Sequence, residues 1–448
     1  MKNNSNYPSI HSEGALLPMD LLERVAVLDP ELPGLKPQDY GLSRNERINE
    51  AVNRSWSRLL PIWQAFREDY ETLPDSDAGT SITREDWLAP LFQELGFGKL
   101  TLSRAEMIGG KSYAISHRRS EIPIHQISFR YELDRRAERV AGASRVSPHT
   151  LVQEYLNRTE NSLWGILTNG RQLRILRDSV MLSRQAYLEF DLETMFNGDC
   201  FSDFRLLWLM CHESRFENGK DCLLEQWTKF AVQIGARALD SLRDGVTRAI
   251  QSLGAGFLKN PANHDLKQKL RSGALDKQDY YRQLLRLIYR FLMLFVAEDR
   301  GTLWTGADPD TIARTEEAFG TRRLRNQAVS LRGTAHGDRW EALRVLFAQL
   351  SSDSGCPELG IPALGGFLFS PDAIPDLKDA ALANRDLYEA VRSLSQTMDG
   401  NIRRPVNYAE LGAEELGSIY ESLLEMHPIL DSDNGTFELN VADRKSVV

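Results

Sequence analysis

The segment from Ser147 to Asp178 constrains the fold most, because its apolar residues change their period halfway along. The first half has apolar residues at helical spacing after Ser147-Pro148, a pair typical of a helix start. These apolar residues are Leu151, Val152, Tyr155 and Leu156. The second half reads LWGILT, then Asn169-Gly170, then the alternating LRILR. The sequence therefore predicts a helix followed by a β-hairpin with a type I′ turn at Asn169-Gly170 and one buried sheet face.

The flanking segments predict more helices and strands of the same kind. A capped helical pattern runs from Ile82 to Phe97, and two or three strands are predicted between Leu100 and Phe129. A further strand, Ala186–Phe190, and a short helix follow the hairpin. An order of helix, strands, helix and strands fits a small mixed sheet with helices packed on it.

Several longer segments of the sequence resemble segments of a known protein family. TREDWLAPLFQELGF, from residue 83, and WGILTNGRQLRILR, from residue 164, resemble the nuclease-like domain of large restriction-modification DNA methyltransferases. These are the type IIG enzymes and the adenine methylases of phage-defence systems such as DISARM. LLRLIYRFLMLFVAEDRG and VNYAELGAEELGSIYESLL resemble the helical linker and the approach to the catalytic core in the same enzymes. The resemblance implies an α+β, helix-rich chain, with a PD-(D/E)xK nuclease-like domain followed by a mainly α-helical linker or scaffold domain.

The residue patterns and the resemblance, which covers about residues 80–445, together predict four segments. We expect a helical lead-in over 1–79, without regular structure to about residue 40, and a nuclease-like α/β domain over 80–215. A helical domain over 216–405 and a lead-in to a methyltransferase core over 406–448 follow. The approach to the core continues through a Phe-containing strand at Thr436–Leu439 and then Arg444-Lys445, where the resemblance stops.

The sequence contains none of the motifs of a methylase catalytic core. An adenine methylase needs a glycine-rich loop after a strand for S-adenosylmethionine and an Asn-Pro-Pro-Tyr type motif for the flipped base. The chain has only Asn260-Pro261-Ala262, and Gly254-x-Gly256, predicted to break a helix, follows no strand. We therefore expect a non-catalytic N-terminal fragment with no cofactor of its own, although S-adenosylmethionine is the cofactor of the full-length family.

A working nuclease of this fold needs carboxylates that hold a divalent metal and an acid-x-Lys set on one strand. The strand region offers Glu132 and Asp134, but no Lys beside them, and Lys111 is the only lysine between residues 100 and 180. We therefore expect an inactive nuclease-like site. The alternative is an Mg²⁺-dependent DNA nuclease that uses Glu132 and Asp134.

The charge is uneven along a chain whose net charge is −9. Residues 104–184 contain 14 Lys and Arg against 8 Asp and Glu, and nearly all of these basic residues are Arg. The planar guanidinium of Arg can donate two hydrogen bonds to one phosphate group, so this region is a candidate for phosphate contact. The candidate nucleic-acid contacts are Arg118, Arg119, Arg130, Arg135, Arg136, Arg171 and Arg174. The other interpretation is an Arg-rich solvated face on an interaction scaffold that does not bind DNA.

A second arginine pattern, Arg282, Arg286 and Arg290, recurs every four residues on a predicted helix, as either a solvated stripe or a DNA or partner surface. The four cysteines, Cys200, Cys211, Cys222 and Cys356, form no tight ligand pair, so we expect ordinary thiols and no metal. No signal peptide or membrane-length apolar segment is visible. We expect a cytoplasmic protein that has no membrane partner. Its expected partners are DNA and either a methyltransferase core or the subunits of a defence system.

Overall fold

The structure is a computed structural model that describes residues 7–14, 16–137, 146–178, 186–304, 306–399, 402–409 and 411–441. The chain forms two compact units, residues 1–233 and 234–448. The boundaries of the four segments stay predictions. Arg444-Lys445 lies outside the described residues.

The first unit combines a mixed sheet with helices on both faces. Its strands are β1 Ile10–Glu13, β2 Thr101–Leu102, β3 Glu106–Ile108, β4 Lys111–Tyr113, β5 His117–Arg119, β6 Ile122–Gln126, β7 Trp164–Thr168, β8 Gln172–Arg177 and β9 Tyr187–Asp191. Its helices are α1 Met19–Ala26, α2 Ile48–Thr72, α3 Ala89–Glu94, α4 Pro148–Leu156, α5 Leu192–Asn197 and α6 Phe201–Cys211. A π-helical segment, Ile82–Leu88, leads directly into α3.

Seven strands form the main sheet in the order β1-β9-β8-β7-β6-β5-β2. β6 and β7 are parallel and are joined through α4, whereas the other neighbouring strands are antiparallel. Adjacent residues on a strand point to opposite faces. Ile166 accordingly packs in the core shared with α2 and α6, while Leu167 packs in the core beneath α4. The prediction of a mixed sheet with packed helices is confirmed.

The central helix and hairpin are confirmed, but their turn differs from the expected type I′ geometry. Ser147 caps α4, since its Oγ accepts a hydrogen bond from the Thr150 amide at 3.2 Å. In the turn, Gly170 has a φ of 84°, but Asn169 is not among the residues with positive φ. Asn169 instead closes the turn with its side chain, whose Oδ1 accepts hydrogen bonds from the amides of Arg171 and Gln172.

The predicted lead-in without regular structure is wrong for the described residues before position 40. β1 pairs with β9 at the sheet edge, with Ile10 opposite Phe190, and α1 follows it. Ile10 is fully buried, and the backbone amide and hydroxyl of Ser9 donate hydrogen bonds to Asp203 on α6. This segment is therefore part of the first unit's core.

The second unit is mainly helical, as predicted, and carries two short β-hairpins. The 37-residue helix α7, Leu223–Lys259, contains the boundary between the units. The later helices are α8 His264–Ser272, α9 Lys277–Asp299, α10 Pro309–Phe319, α11 Thr321–Ser330, α12 Asp338–Ser351, α13 Gly366–Phe369, α14 Asn384–Ser395 and α15 Ala413–Leu424. The strands are β10 Gln396–Asp399, β11 Ile402–Pro405, β12 Met426–Asp431 and β13 Thr436–Val441. β13 confirms the expected Phe-containing strand.

The predicted helix break at Gly254 and Gly256 is wrong, because both residues lie inside α7. Because glycine has no side chain, neighbouring residues pack closely against the helix at these two positions. A Cβ on Gly254 would lie 2.6 Å from the Phe437 ring, and one on Gly256 would lie 2.7 Å from Asp386 Cβ. Helix packing, not a phosphate loop, therefore accounts for this glycine pair.

Candidate functional site

Four of the candidate arginines lie at one edge of the sheet in the first unit. Because β6 and β7 are parallel, their carboxyl ends meet at the same edge. The segment after β6 contains Arg130, Arg135 and Arg136, and the turn after β7 contains Arg171. We call these four residues the carboxyl edge.

A hydrogen bond holds the two parts of the carboxyl edge together. The Asn169 side-chain amide donates to the Tyr131 carbonyl at 2.9 Å, and Asn169 is only 4% exposed. The turn after β7 is thereby fixed to the segment after β6. This edge is the usual place for ligands in sheets with parallel strands.

Arg118 and Arg119 lie at the opposite edge. β5 runs antiparallel to β6, which places Arg119 opposite Ile122, the first residue of β6. Arg118 pairs with Glu106 at 3.0 Å, and Arg119 pairs with Glu213 at 2.6 Å. The structure therefore divides the candidate phosphate contacts between two ends of the sheet.

Arg174 is not an accessible phosphate contact, contrary to the prediction. Its side chain is 4% exposed, and its two terminal nitrogens donate to the two oxygens of Asp134 at 2.7 and 2.8 Å. Arg174 Nε donates to Glu189 on the neighbouring strand β9. The hydrogen bonds from Arg174 lower the pKa of Asp134 below its usual value.

His149 and Tyr187 complete this buried arginine cluster. His149 Nδ1 lies 3.1 Å from Arg174 Nη1, and the guanidinium lies over the Tyr187 ring, 4.2 Å from its centroid. Burial lowers the pKa of His149 from 6.5 to about 4, and the positive charge of Arg174 acts in the same direction. We name the set Asp134, His149, Arg174, Tyr187 and Glu189 the Arg174 cluster.

The remaining carboxyl-edge arginines differ in how firmly they are held. Arg130 donates to the carbonyls of Leu73 and Pro74 at 3.0 and 2.8 Å. Arg171 Nε donates to Glu193 at 2.7 Å. The Arg171–Glu193 pair is partly exposed, and such pairs contribute at most about 1 kcal/mol, so Arg171 is held less firmly than Arg130.

Arg135 and Arg136 are the most accessible members of the carboxyl edge. Arg135 is 77% exposed and pairs at 3.1 Å with Glu132, which is itself 63% exposed. Arg136 is exposed and makes no ion pair with a described residue. These two side chains are the best placed to reach a phosphate.

Glu132 and Asp134 are not arranged to bind a metal ion together, because each carboxylate pairs with an arginine. Asp134 is occupied by Arg174, and Glu132 pairs with Arg135. Across the described ranges, no three His, Cys, Asp or Glu side chains are grouped so that they could hold a metal ion. Lys111, the one lysine of the region, pairs with Glu154 on α4.

A polar network without carboxylates lies at the β5–β6 hairpin, and no sequence motif pointed to it. Ser116 Oγ accepts from the Gln126 amide at 2.7 Å, and the Ser116 amide donates to His125 Nδ1 at 3.3 Å. Arg84, from the π-helical segment, donates to the Gln126 carbonyl at 2.8 Å. These four residues include no carboxylate, so they do not supply the acidic set that a nuclease requires.

The arginine stripe on α9 is neither a fully solvated stripe nor a free surface. Arg290 is 2% exposed and donates to the carbonyls of Leu368 and Ser370, both at 2.8 Å. Arg286 donates to the Ala373 carbonyl at 2.8 Å, whereas Arg282 is exposed and pairs with Asp279. Two of the three arginines therefore fasten the segment around α13 to α9.

Comparison of the chain with protein-family models, with curated proteins and with solved structures gives no match. None of the helices within the described ranges has the length and apolar content needed to cross a bilayer.

Proposed function

We propose that this chain is a non-catalytic, nuclease-like module of an adenine-specific restriction-modification or phage-defence methyltransferase. In this proposal the carboxyl edge contacts DNA phosphates, and the helical second unit is a scaffold for the methyltransferase core. The observation that carries the non-catalytic part is the Arg174 cluster. Asp134, one of the two candidate metal ligands, has both oxygens on a buried guanidinium.

The arrangement of charges argues against metal chemistry at Asp134. Asp134 is 48% exposed, but both of its oxygens accept hydrogen bonds from Arg174, which is 4% exposed. A divalent cation there would compete with Arg174 for those oxygens and would leave the buried guanidinium with fewer partners. Phosphate contact meets less competition, because Arg136 makes no ion pair with a described residue and the Arg135–Glu132 pair is exposed and therefore weak.

The first test measures binding to duplex DNA at two salt concentrations, with and without Mg²⁺, and follows cleavage in the same samples. We expect binding that weakens as salt rises, because each phosphate contact releases counterions. We expect no Mg²⁺-dependent cleavage. Cleavage that disappears in Asp134→Ala would replace this proposal with an active nuclease.

A pair of double variants locates the contact. Arg135→Ala with Arg136→Ala should weaken binding and reduce the slope of log K against log salt by about 2. Arg118→Ala with Arg119→Ala removes the same charge from the opposite edge and should leave the slope nearly unchanged. Equal effects of the two double variants would show general electrostatic attraction instead of a defined edge.

A scaffold without DNA affinity is the second candidate. The observation in its favour is that six of the seven candidate arginines already have a carboxylate partner within the chain. Absence of salt-sensitive binding at low salt would select this function over DNA contact.

A further inference from the structure

A cavity of about 330 Å³ in the second unit has apolar walls and one buried charge. It lies among α9, α12 and the segment that contains α13. Its apolar and aromatic lining includes Trp340, Val345, Phe347, Phe369, Pro371 and Ile374. The volume is within the range of small-molecule sites, about 300–1,000 Å³.

Arg290 also lines this cavity, and it is a buried cation without an anionic partner. Its side chain donates only to the carbonyls of Leu368 and Ser370, and none of the described carboxylates forms an ion pair with it. No described residue accepts a hydrogen bond from Arg290 Nη1. Burial lowers the pKa of Arg290 to about 10, and no nearby carboxylate opposes that shift.

The aromatic walls leave the charge of Arg290 largely uncompensated. The guanidinium lies 5.1 Å from the ring centroid of Phe347 and 5.8 Å from that of Phe369. Cation–π contacts of this kind contribute about 0.5–2 kcal/mol, less than a buried charge normally requires. An anion that reaches Nη1 would supply the missing partner.

The charges at the rim agree with a single negative charge on the ligand. Arg344 pairs with Glu341 at 2.8 Å and with Asp379 at 3.2 Å, and Lys378 adds one more positive charge. With Arg290 included, the lining has three basic and two acidic side chains. Its net charge is therefore +1.

We propose that this cavity binds a small organic carboxylate with an apolar aryl or alkyl tail. The carboxylate accepts a hydrogen bond from Arg290 Nη1, and the tail packs against Phe347, Phe369 and the neighbouring apolar residues. Hydrogen bonds to charged groups are stronger than neutral ones, and a low-dielectric site strengthens them further. This site is separate from the carboxyl edge and does not depend on DNA contact.

Calorimetric titration of the full chain tests the proposal with three probes. 4-Phenylbutyrate and octanoate each carry one carboxylate, on an aryl and an alkyl tail respectively, and 4-phenylbutan-1-ol is the neutral match of the first. We expect saturable binding of at least one carboxylate, and the preferred tail identifies the ligand class. The alcohol should bind at least about tenfold more weakly than 4-phenylbutyrate, since it lacks the charge-assisted hydrogen bond.

Two variants assign the binding to this cavity. Val345→Trp fills the cavity from an exposed rim position, 51% exposed, and should abolish binding while leaving Arg290 and the fold in place. Arg282→Ala removes an exposed charge from the same helix and should leave binding unchanged. Absence of saturable carboxylate binding, equal binding of alcohol and carboxylate, or unaltered binding in Val345→Trp would each overturn the proposal.

Discussion

The Asn169 side chain donates a hydrogen bond to the Tyr131 carbonyl at 2.9 Å, across 38 residues of sequence. The same side chain accepts hydrogen bonds from the amides of Arg171 and Gln172 at 3.0 and 2.8 Å. One amide group thus closes the β7–β8 turn and fixes the segment that precedes α4.

Replacement of Asn169 should destabilise the first unit. We expect Asn169→Ala to lower the free energy of unfolding by about 2 kcal/mol, because it leaves buried backbone groups without partners. Asn169→Asp keeps the acceptor for the turn but places a buried carboxylate against the Tyr131 carbonyl, so its loss should be larger than that of Asn169→Ala. Urea unfolding followed by circular dichroism measures both. A smaller loss in Asn169→Asp than in Asn169→Ala would contradict the role given to the link with Tyr131.

Removal of Arg174 should be far more damaging than removal of an exposed arginine. We expect Arg174→Met to cost about 3 kcal/mol or more, because Glu189 is left buried without its partner. Arg135→Met breaks an exposed pair and should change stability by less than about 1 kcal/mol. Chemical unfolding of the two variants provides the comparison, and similar stabilities would contradict the structural role given to the Arg174 cluster.

The Arg174 cluster also predicts a pH dependence of stability. Burial and Arg174 lower the pKa of His149 from 6.5 to about 4, so the unfolded chain binds the proton more readily than the folded chain. The stability contributed by neutral His149 is therefore complete above pH 6.5 and is lost as the pH falls towards 4.

Urea midpoints at a series of pH values measure this effect. We expect His149→Gln to make the decline between these pH values less steep. Part of the decline should remain, because burial also lowers the pKa of His117 and His212 to about 4. His427→Gln, at an exposed position, is the control, and an unchanged slope in His149→Gln would contradict the prediction.

Two glycines of α7 should respond in opposite ways to alanine. No neighbouring atom lies within 4 Å of the position that a Cβ on Gly235 would occupy, so Gly235→Ala should stabilise the helix by about 1 kcal/mol. At Gly254 the added Cβ would lie 2.6 Å from the Phe437 ring, and overpacking costs about 1–3 kcal/mol. Thermal unfolding of the two variants should therefore show shifts of opposite sign. A rise in both midpoints would mean that β13 moves aside easily.

Local patterns predicted the parts of the fold that depend on nearby residues. Short stretches of sequence were enough to predict the Ser147 cap, the helix that follows it and the strands around Asn169-Gly170. β1 was missed because a four-residue strand in a proline-containing segment has too little period to be recognised. Its stability comes from pairing with β9, far along the chain.

The candidate site was less predictable for the same reason. The arginine-rich region was visible, but the burial of Arg174 depends on Asp134 and Glu189, which lie 40 and 15 residues away in sequence. The alternation of Leu173-Arg174-Ile175 shows only that Arg174 lies on the opposite face of β8 from Leu173 and Ile175. Which carboxylates occupy that face follows from strand order, and composition carries no information about it.

The pairing of β1 with β9 has a consequence for synthesis on the ribosome. Ile10 pairs with Phe190, so β1 emerges long before its partner exists. At about 5–20 residues per second, the intervening chain takes roughly 10–40 seconds to make. Throughout that interval the buried face of β1 has no sheet to join, and the nascent first unit remains open to chaperones and to misdirected strand pairing until β9 appears.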